Sequence, residues 1–329
     1  MNKKKIMIVF LVLIILVSGC GKGKDDSRVI IYTNSDDEAV QAMKKALDRH
    51  GYKGKYTIQS LGTSELGGKM VTEGNRIEGD MITQASYFID NAQKQTRMFQ
   101  KLPQTKKPIE SSPNYRTPLL RNVGSMFINT KQLEKEGLKP PKTTKDLTKP
   151  EYKDKIAIPS IMGSSTGWLL IQAILNEYGD KKGQEILNKL IDNAGPHLEA
   201  SGSGPLKKVQ TGEVVAGFGL RGQALDAKEK GLPIKTVDPK EGNFSLKESI
   251  GIVKKDNISK KKQQRMEGML KVIQQDARKE LIHQYPVPVY QGEHVSKKEQ
   301  PKYLKQWKDP LDVDLLKQHQ QKYKEANQN

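Results

Sequence analysis

Four short runs of small hydroxyl-bearing and glycine residues stand just ahead of segments that read as helices. They are Asn34-Ser35, Gly62-Thr63-Ser64, Gly163-Ser164-Ser165-Thr166-Gly167 and Ser201-Gly202-Ser203-Gly204-Pro205. Each offers backbone N–H groups without an intrahelical partner, hydroxyl donors, and the positive end of a helix dipole. Glycine lets a ligand approach the backbone closely, so the combination binds an anion without any catalytic side chain. One such turn is an ordinary helix cap. The serine and glycine density at 163–167 and 201–204 exceeds what capping requires, and points to binding.

The elements that must hold these turns alternate. Val29–Thr33 is a β-rich run, followed by a helix with Asp36, Asp37 and Glu38 in its first turn and Val40, Met43 and Leu47 as its apolar stripe. Tyr56–Ser60 reads as a second strand, Glu65–Glu73 as a second helix and Asp80–Thr83 as a third strand. A β-compatible stretch at 115–129 and a Pro/Thr/Lys connector at 138–150 separate this from a second alternating segment. That segment has strand Ile156–Ile158, helices Trp168–Tyr178 and Lys182–Asn193, and strand Val214–Phe218. Strand Glu248–Val253 and a helix over Lys260–Gln275 follow. Strand and helix alternating at this spacing predict an α/β fold with parallel strands covered by helices.

Composition narrows the function classes. The 329 residues carry 56 Lys+Arg against 38 Asp+Glu, a formal +18, and are 35% hydrophobic, enough for a core and for two domains. A single cysteine, Cys20, excludes an intramolecular disulfide framework and a cysteine-rich zinc site. Lys3–Lys5 followed by the apolar run Ile6–Val17 reads as a signal peptide, too short to span a bilayer of roughly 30 Å. Val17-Ser18-Gly19-Cys20 resembles the bacterial lipobox, which predicts removal of residues 1–19 and lipidation of Cys20. Residues 20–27 would then be a tether at the outer face of the cell membrane. Losing Lys3–Lys5 takes the charge from +18 to +15. No nucleic-acid recognition motif accompanies this charge, and a secreted lipoprotein does not meet nucleic acid. Most of the lysines read as a solvated face.

The lipobox, the early strand ending in Tyr32-Thr33, and Gly62-Thr63-Ser64-Glu65-Leu66 resemble type 2 periplasmic solute-binding proteins. The likeness continues through Tyr152–Pro159, Ser164-Ser165-Thr166-Gly167, Ser201-Gly202-Ser203 and Gly212-Glu213-Val214. It is nearest the ferric-iron and 2-aminoethylphosphonate branch, and covers roughly residues 28–290. The Lys-rich chain with its short signal is also similar to the staphylococcal-type lipoproteins that sense external hexose phosphate beside a two-component kinase. The resemblance implies two α/β lobes with mixed sheets and a ligand cleft at a two-strand hinge, the crossings falling near 116–128 and 242–253. Lobe 1 would comprise 28–120 and 248–329, and lobe 2 would comprise 121–247. The full candidate ligand set is Tyr32, Thr33, Asn34, Ser35, Thr63, Ser64, Ser86, Ser164, Ser165, Thr166, Gly167, Ser201, Gly202, Ser203 and Arg221.

Ferric binders of that branch use a tandem tyrosine pair, and no Tyr-Tyr dipeptide occurs here. The corresponding stretch, Gly217-Phe218-Gly219-Leu220-Arg221-Gly222, carries a guanidinium that suits a carboxylate or phosphate. Ser164 and Ser203 lie in no G-x-S-x-G elbow, and His197, His283 and His294 read as surface or loop residues, so no catalytic group is expected. The expectation is a receptor without cofactor or metal for a small anionic organophosphate, hexose phosphate foremost. It would work beside a membrane sensor kinase or, alternatively, an ABC permease for 2-aminoethylphosphonate or ferric iron.

Overall fold

The computed structural model describes residues 28–103 and 105–327. The expected signal peptide, Cys20 and the expected tether therefore lie outside the described residues. The chain runs through β1 (Val29–Thr33), α1 (Asp37–Arg49), β2 (Tyr56–Ser60), α2 (Thr63–Glu73), β3 (Met81–Ala85) and α3 (Ser86–Thr96). Next come β4 (Thr117–Asn129), α4 (Thr130–Lys135), β5 (Ile156–Pro159), α5 (Ser165–Ala194), β6 (Leu198–Glu199), α6 (Gly204–Thr211), β7 (Ala216–Leu220) and α7 (Arg221–Glu229). The last elements are β8 (Ile234–Val237), β9 (Asn243–Ile252), α8 (Lys260–Val272), α9 (Arg278–Gln284), β10 (Leu304–Lys305) and α10 (Val313–Ala326).

The strand order is β2-β1-β3-β9-β4-β7-β5-β6, with β10 beside β9 and β8 beside β4. β1 pairs in parallel with β2 and β3, and β5 with β6 and β7. The two long strands β4 and β9 are antiparallel to each other and to β3, β7 and β8, with β10 parallel to β9, and they join the halves. The first half of β4 pairs with β9 over 117–123, and the second half pairs with β7 and β8 over 124–129. The result is a two-lobe mixed α/β fold in which two strands pass between lobes. Three buried clusters support it. One packs α1, α8 and α9 on β1, a second packs α6 and α7 on β5 and β8, and a third joins α2 and α3 to α5 and α10.

Local chemistry sets the helix starts. Asp36, expected inside the first turn of α1, is instead its N-cap and accepts the Ala39 N–H at 3.1 Å. α2 and α5 each begin earlier than their apolar stripes suggest, at Thr63 and Ser165. α5 fuses the two helices read from the sequence, and a break at Gly179 (φ 69°) remains where they meet. The C-terminal helix α10 lies on α5. Trp168 Nε1 donates to His319 Nδ1 at 2.8 Å, and Gln184 Nε2 donates to the Lys322 carbonyl at 2.8 Å. The far C-terminus thus packs with the second lobe, although it follows first-lobe elements in sequence.

Candidate functional site

The four small-residue turns converge. Asn34, Ser35 and Asp36 ahead of α1, and Leu61, Gly62 and Thr63 at α2, face Gly163–Thr166 at α5 and Ala200–Ser203 at α6. Together with Asn122, Leu220 and Glu248 they enclose a cavity of about 220 Å³. That is smaller than the roughly 300–1,000 Å³ typical of pockets for drug-sized molecules, and suits a small solute. No aromatic ring and no Lys or Arg is among these lining residues.

One end of the cavity is built from helix starts. Neither α2 nor α6 has a side-chain cap from its N-cap residue, Gly62 or Ser203. At α5 the Ser164 Oγ accepts the Thr166 N–H at 3.1 Å, and at α6 the Ser201 Oγ accepts the Gly204 N–H at 3.1 Å. The α5 and α6 turns touch so closely that a Cβ on Gly202 would meet Thr166 Oγ1 at 2.2 Å. A Cβ on Gly163 would meet the Ala200 carbonyl at 2.5 Å. Glycine here is what lets the two helix tips approach so closely.

A second part of the lining is built from acceptors, and it adjoins the first where Asn34 Nδ2 donates to Thr63 Oγ1 at 3.1 Å. Glu248 on β9 is fully buried, accepting Ser35 Oγ at 2.7 Å and Asn122 Nδ2 at 2.8 Å. Burial pushes its carboxyl up, against those two hydrogen bonds. Asp36 accepts the Tyr285 hydroxyl and stands near Glu38 and Glu248. Burial first, then those neighbouring acids, push it up to about 7, against the Tyr285 and Ala39 hydrogen bonds. Asn34 Oδ1 and Asn122 Oδ1 are buried without a hydrogen-bond partner. A buried acceptor left unpaired costs stability, so this end calls for a ligand that donates.

Nine of the predicted residues meet here: Asn34, Ser35, Thr63, Ser164, Ser165, Thr166, Ser201, Gly202 and Ser203. Ser64 lies at the rim, where its Oγ donates to the Met162 carbonyl across the cleft at 3.1 Å. Gly167 sits in the first turn of α5, where a Cβ would come within 2.5 Å of the Ile161 amide nitrogen, so it serves packing. Tyr32, Thr33, Ser86 and Arg221 are not among the lining residues. Tyr32 is a core residue whose hydroxyl donates to Glu78 at 3.1 Å. Thr33 Oγ1 accepts the Ser35 N–H at 3.0 Å and positions that serine. Ser86 Oγ pairs with Ser249 Oγ at 2.7 Å.

Arg221 is the main correction to the expected ligand set. Its Nε donates to Asp238 at 2.8 Å, and its terminal nitrogens donate to the Glu299 and Gln300 carbonyls. Four hydrogen bonds commit the guanidinium to Asp238 and the 299–300 segment, away from the cavity lining. Asp36, Asn122 and Glu248 are the site residues the sequence did not disclose. Only the first carried a signal, as an acid beside a hydroxyl-rich turn.

The lobes meet across this cavity. Besides Ser64 and Met162, Gln223 Nε2 on α7 donates to Glu38 at 2.9 Å, and the Tyr87 and Trp168 rings stand edge-on at 5.0 Å.

Comparison with known proteins accords with this architecture. The spermidine/putrescine-binding periplasmic protein of Salmonella typhimurium is 26% identical over 238 residues, covering 64% of this chain and 63% of that protein. The chain thus matches a little under two thirds of the length of that curated relative. The periplasmic binding protein AfuA from Actinobacillus pleuropneumoniae, with exogenous fructose-6-phosphate bound, superposes with a TM-score of 0.67 at 18% identity, covering 92% of this chain and 97% of that one. Iron-bound HitA from Pseudomonas aeruginosa gives 0.68 at 17% identity, covering 91% and 99%. At these identities the structural likeness establishes the fold alone. Residues 79–309 match the profile of the bacterial extracellular solute-binding proteins, and the chain belongs to that family.

Proposed function

We propose that this chain is a lipid-anchored extracytoplasmic receptor for a small phosphorylated solute bearing hydroxyls, hexose phosphate foremost. The observation that carries the reading is the two-ended cavity. A phosphate would lie against the starts of α2, α5 and α6, taking N–H groups and the hydroxyls of Thr63, Ser165, Thr166 and Ser203. The sugar hydroxyls would donate to Asn34 Oδ1, Asn122 Oδ1, Asp36 and Glu248. The phosphate is kept from the buried carboxylates by the length of the sugar.

The spermidine/putrescine-binding relative raises a second reading, a polyamine, which the acids Asp36 and Glu248 favour. Three helix starts at one end oppose it, because an ammonium there meets the positive dipole ends. Ferric iron needs several hard anionic oxygens, and the lining offers only two carboxylates, one already accepting from Ser35 and Asn122 and the other from Tyr285. 2-Aminoethylphosphonate fits both ends chemically but brings one ammonium where four acceptors wait. It stays the alternative ligand, with an ABC permease as its partner.

The lobes proposed to move are 28–120 with 248 to about 300, and 121–247 with α10. Contacts to both sets hold the cleft shut once ligand is in place. The closed outer surface would be read by a membrane sensor kinase governing hexose-phosphate uptake. Anchoring at Cys20 would keep the receptor beside that partner.

Titration calorimetry against glucose 6-phosphate, fructose 6-phosphate, inorganic phosphate, glucose, 2-aminoethylphosphonate, putrescine and ferric citrate tests the ligand. The expected outcome is tight hexose-phosphate binding, weaker phosphate binding and no heat from putrescine. Putrescine binding more tightly than either hexose phosphate would overturn the reading.

A further inference from the structure

A second cavity, of about 390 Å³, lies on the other face of the hinge strands. Successive residues of a strand leave by opposite faces. On β4 and β9, Asn122 and Glu248 serve the ligand cleft, while Arg121, Ser245 and Lys247 line this second space. Its walls come from both lobes: Ser86, Tyr87 and Asp90 on α3, and the 306–311 segment that leads from β10 into α10.

Three donors in this lining have no partner. Arg121 Nε, Ser245 Oγ and Trp307 Nε1 are buried without a hydrogen bond, and Arg121 and Ser245 are each only 6% exposed. Several of the charges are paired within the lining. Arg116 forks onto Asp90 at 2.6 and 2.9 Å, and Glu110 takes Arg121 together with Lys247 at 2.6 Å. Arg116, Arg121, Lys247 and Lys308 against Asp90, Glu110 and Asp309 leave one net positive charge. A doubly charged phosphate would be repelled by the acids. A singly charged carboxylate balances the site and has the acceptor oxygens that the three donors require. Tyr87, Trp307, Pro310 and Leu311 supply apolar surface for an organic body.

We propose that this cavity is a second binding site, for a small organic monocarboxylate, and that its occupant favours the closed cleft. The cavity has this shape in the arrangement where the lobes already touch, so a molecule that fits it stabilises that arrangement. The coupling to the first site is then reciprocal. The first half of this proposal is independent of what the main cleft binds; the second rests on the hexose-phosphate reading.

The test uses the mature chain with benzoate as probe, followed by the indole N–H signals of its two tryptophans in NMR. Saturable binding should shift the Trp307 signal most, and Trp307→Phe and Ser245→Ala should each weaken benzoate while leaving the glucose 6-phosphate site intact. Glucose 6-phosphate should bind about five-fold tighter or more in saturating benzoate. No saturable shift, or a shift that both variants leave unchanged, would overturn the site. Saturable benzoate binding with unaltered glucose 6-phosphate affinity would overturn the coupling. If glucose 6-phosphate itself fails to bind while benzoate does, the main-cleft reading has failed and the second site stands.

Discussion

The two ends of the main cavity are made by different means. The helix-start end is local: each contribution comes from three to five consecutive residues at a strand-to-helix turn, such as Gly163–Thr166 or Ala200–Ser203. The acceptor end is assembled from distant places, with Asn122 and Glu248 held 2.8 Å apart across two antiparallel strands and Asp36 secured by Tyr285. One end supplies donors from backbone geometry. The other supplies acceptors whose cost of burial is offset by tertiary contacts. On the proposed reading, a ligand would have to satisfy two opposite chemistries, and specificity would lie in the combination.

The largest effect is expected where neither end is touched. Arg221 and Asp238 are both largely buried, and Arg221 holds the Asp238 carboxyl below its usual range although burial opposes this. Arg221→Ala strands that carboxylate, which should cost about 3–5 kcal/mol of stability in urea unfolding. Glucose 6-phosphate affinity of the folded fraction should stay within about two-fold, since each 1.4 kcal/mol lost would be a full decade. A variant of normal stability and lost affinity would return Arg221 to the ligand site.

Next comes the acceptor end. Glu248→Gln puts a donating amide where an acceptor oxygen stands, which should cost about 1–3 kcal/mol, or roughly one to two decades in hexose-phosphate affinity. Inorganic phosphate, which does not reach that end, should bind as before. Equal losses for both ligands would erase the distinction between the ends. At the helix-start end the alanine variants of Ser165, Thr166 and Ser203 should each cost about a decade for hexose phosphate and inorganic phosphate alike. Ser164→Ala differs, because its hydroxyl already caps Thr166; about 1 kcal/mol of stability goes with it. Calorimetry on the same four proteins separates these outcomes.

The remaining prediction is a pH slope. Asp36 is raised from 3.8 to about 7 in the fold, so the native state holds a proton there that the unfolded chain has released. Its contribution is complete below about pH 4 and is lost as pH rises through about 7. Asp36→Asn keeps an N-cap residue but removes the titration. Melting temperatures of the ligand-free proteins across that window should converge less steeply for the variant than for the parent. Parallel curves would mean that Asp36 titrates as an ordinary surface acid.

Much of the fold was legible because periodicity and strand-helix alternation are local properties. The strand cores at 29–33 and 56–60 and the stripe Val40, Met43 and Leu47 needed no tertiary information. The helix-start end of the site was legible for the same reason. Asn122 and Glu248 were not, because within β-compatible runs a buried polar residue and a core residue look alike until the partner strand is in place. Arg221 misled because its partner Asp238 lies seventeen residues on, beyond β8, where no spacing rule connects them. The C-terminal helix escaped likewise, since Trp168 and His319 meet only in the fold.

A crystal structure of the mature protein with glucose 6-phosphate tests the two-ended cavity most directly. The account predicts phosphate oxygens within about 3.2 Å of the Thr166 hydroxyl and of the N–H and hydroxyl of Ser203, with sugar hydroxyls donating to Asn122 and Glu248. A phosphate placed against Asp36 and Glu248, or a ligand bound outside the cavity, would contradict it.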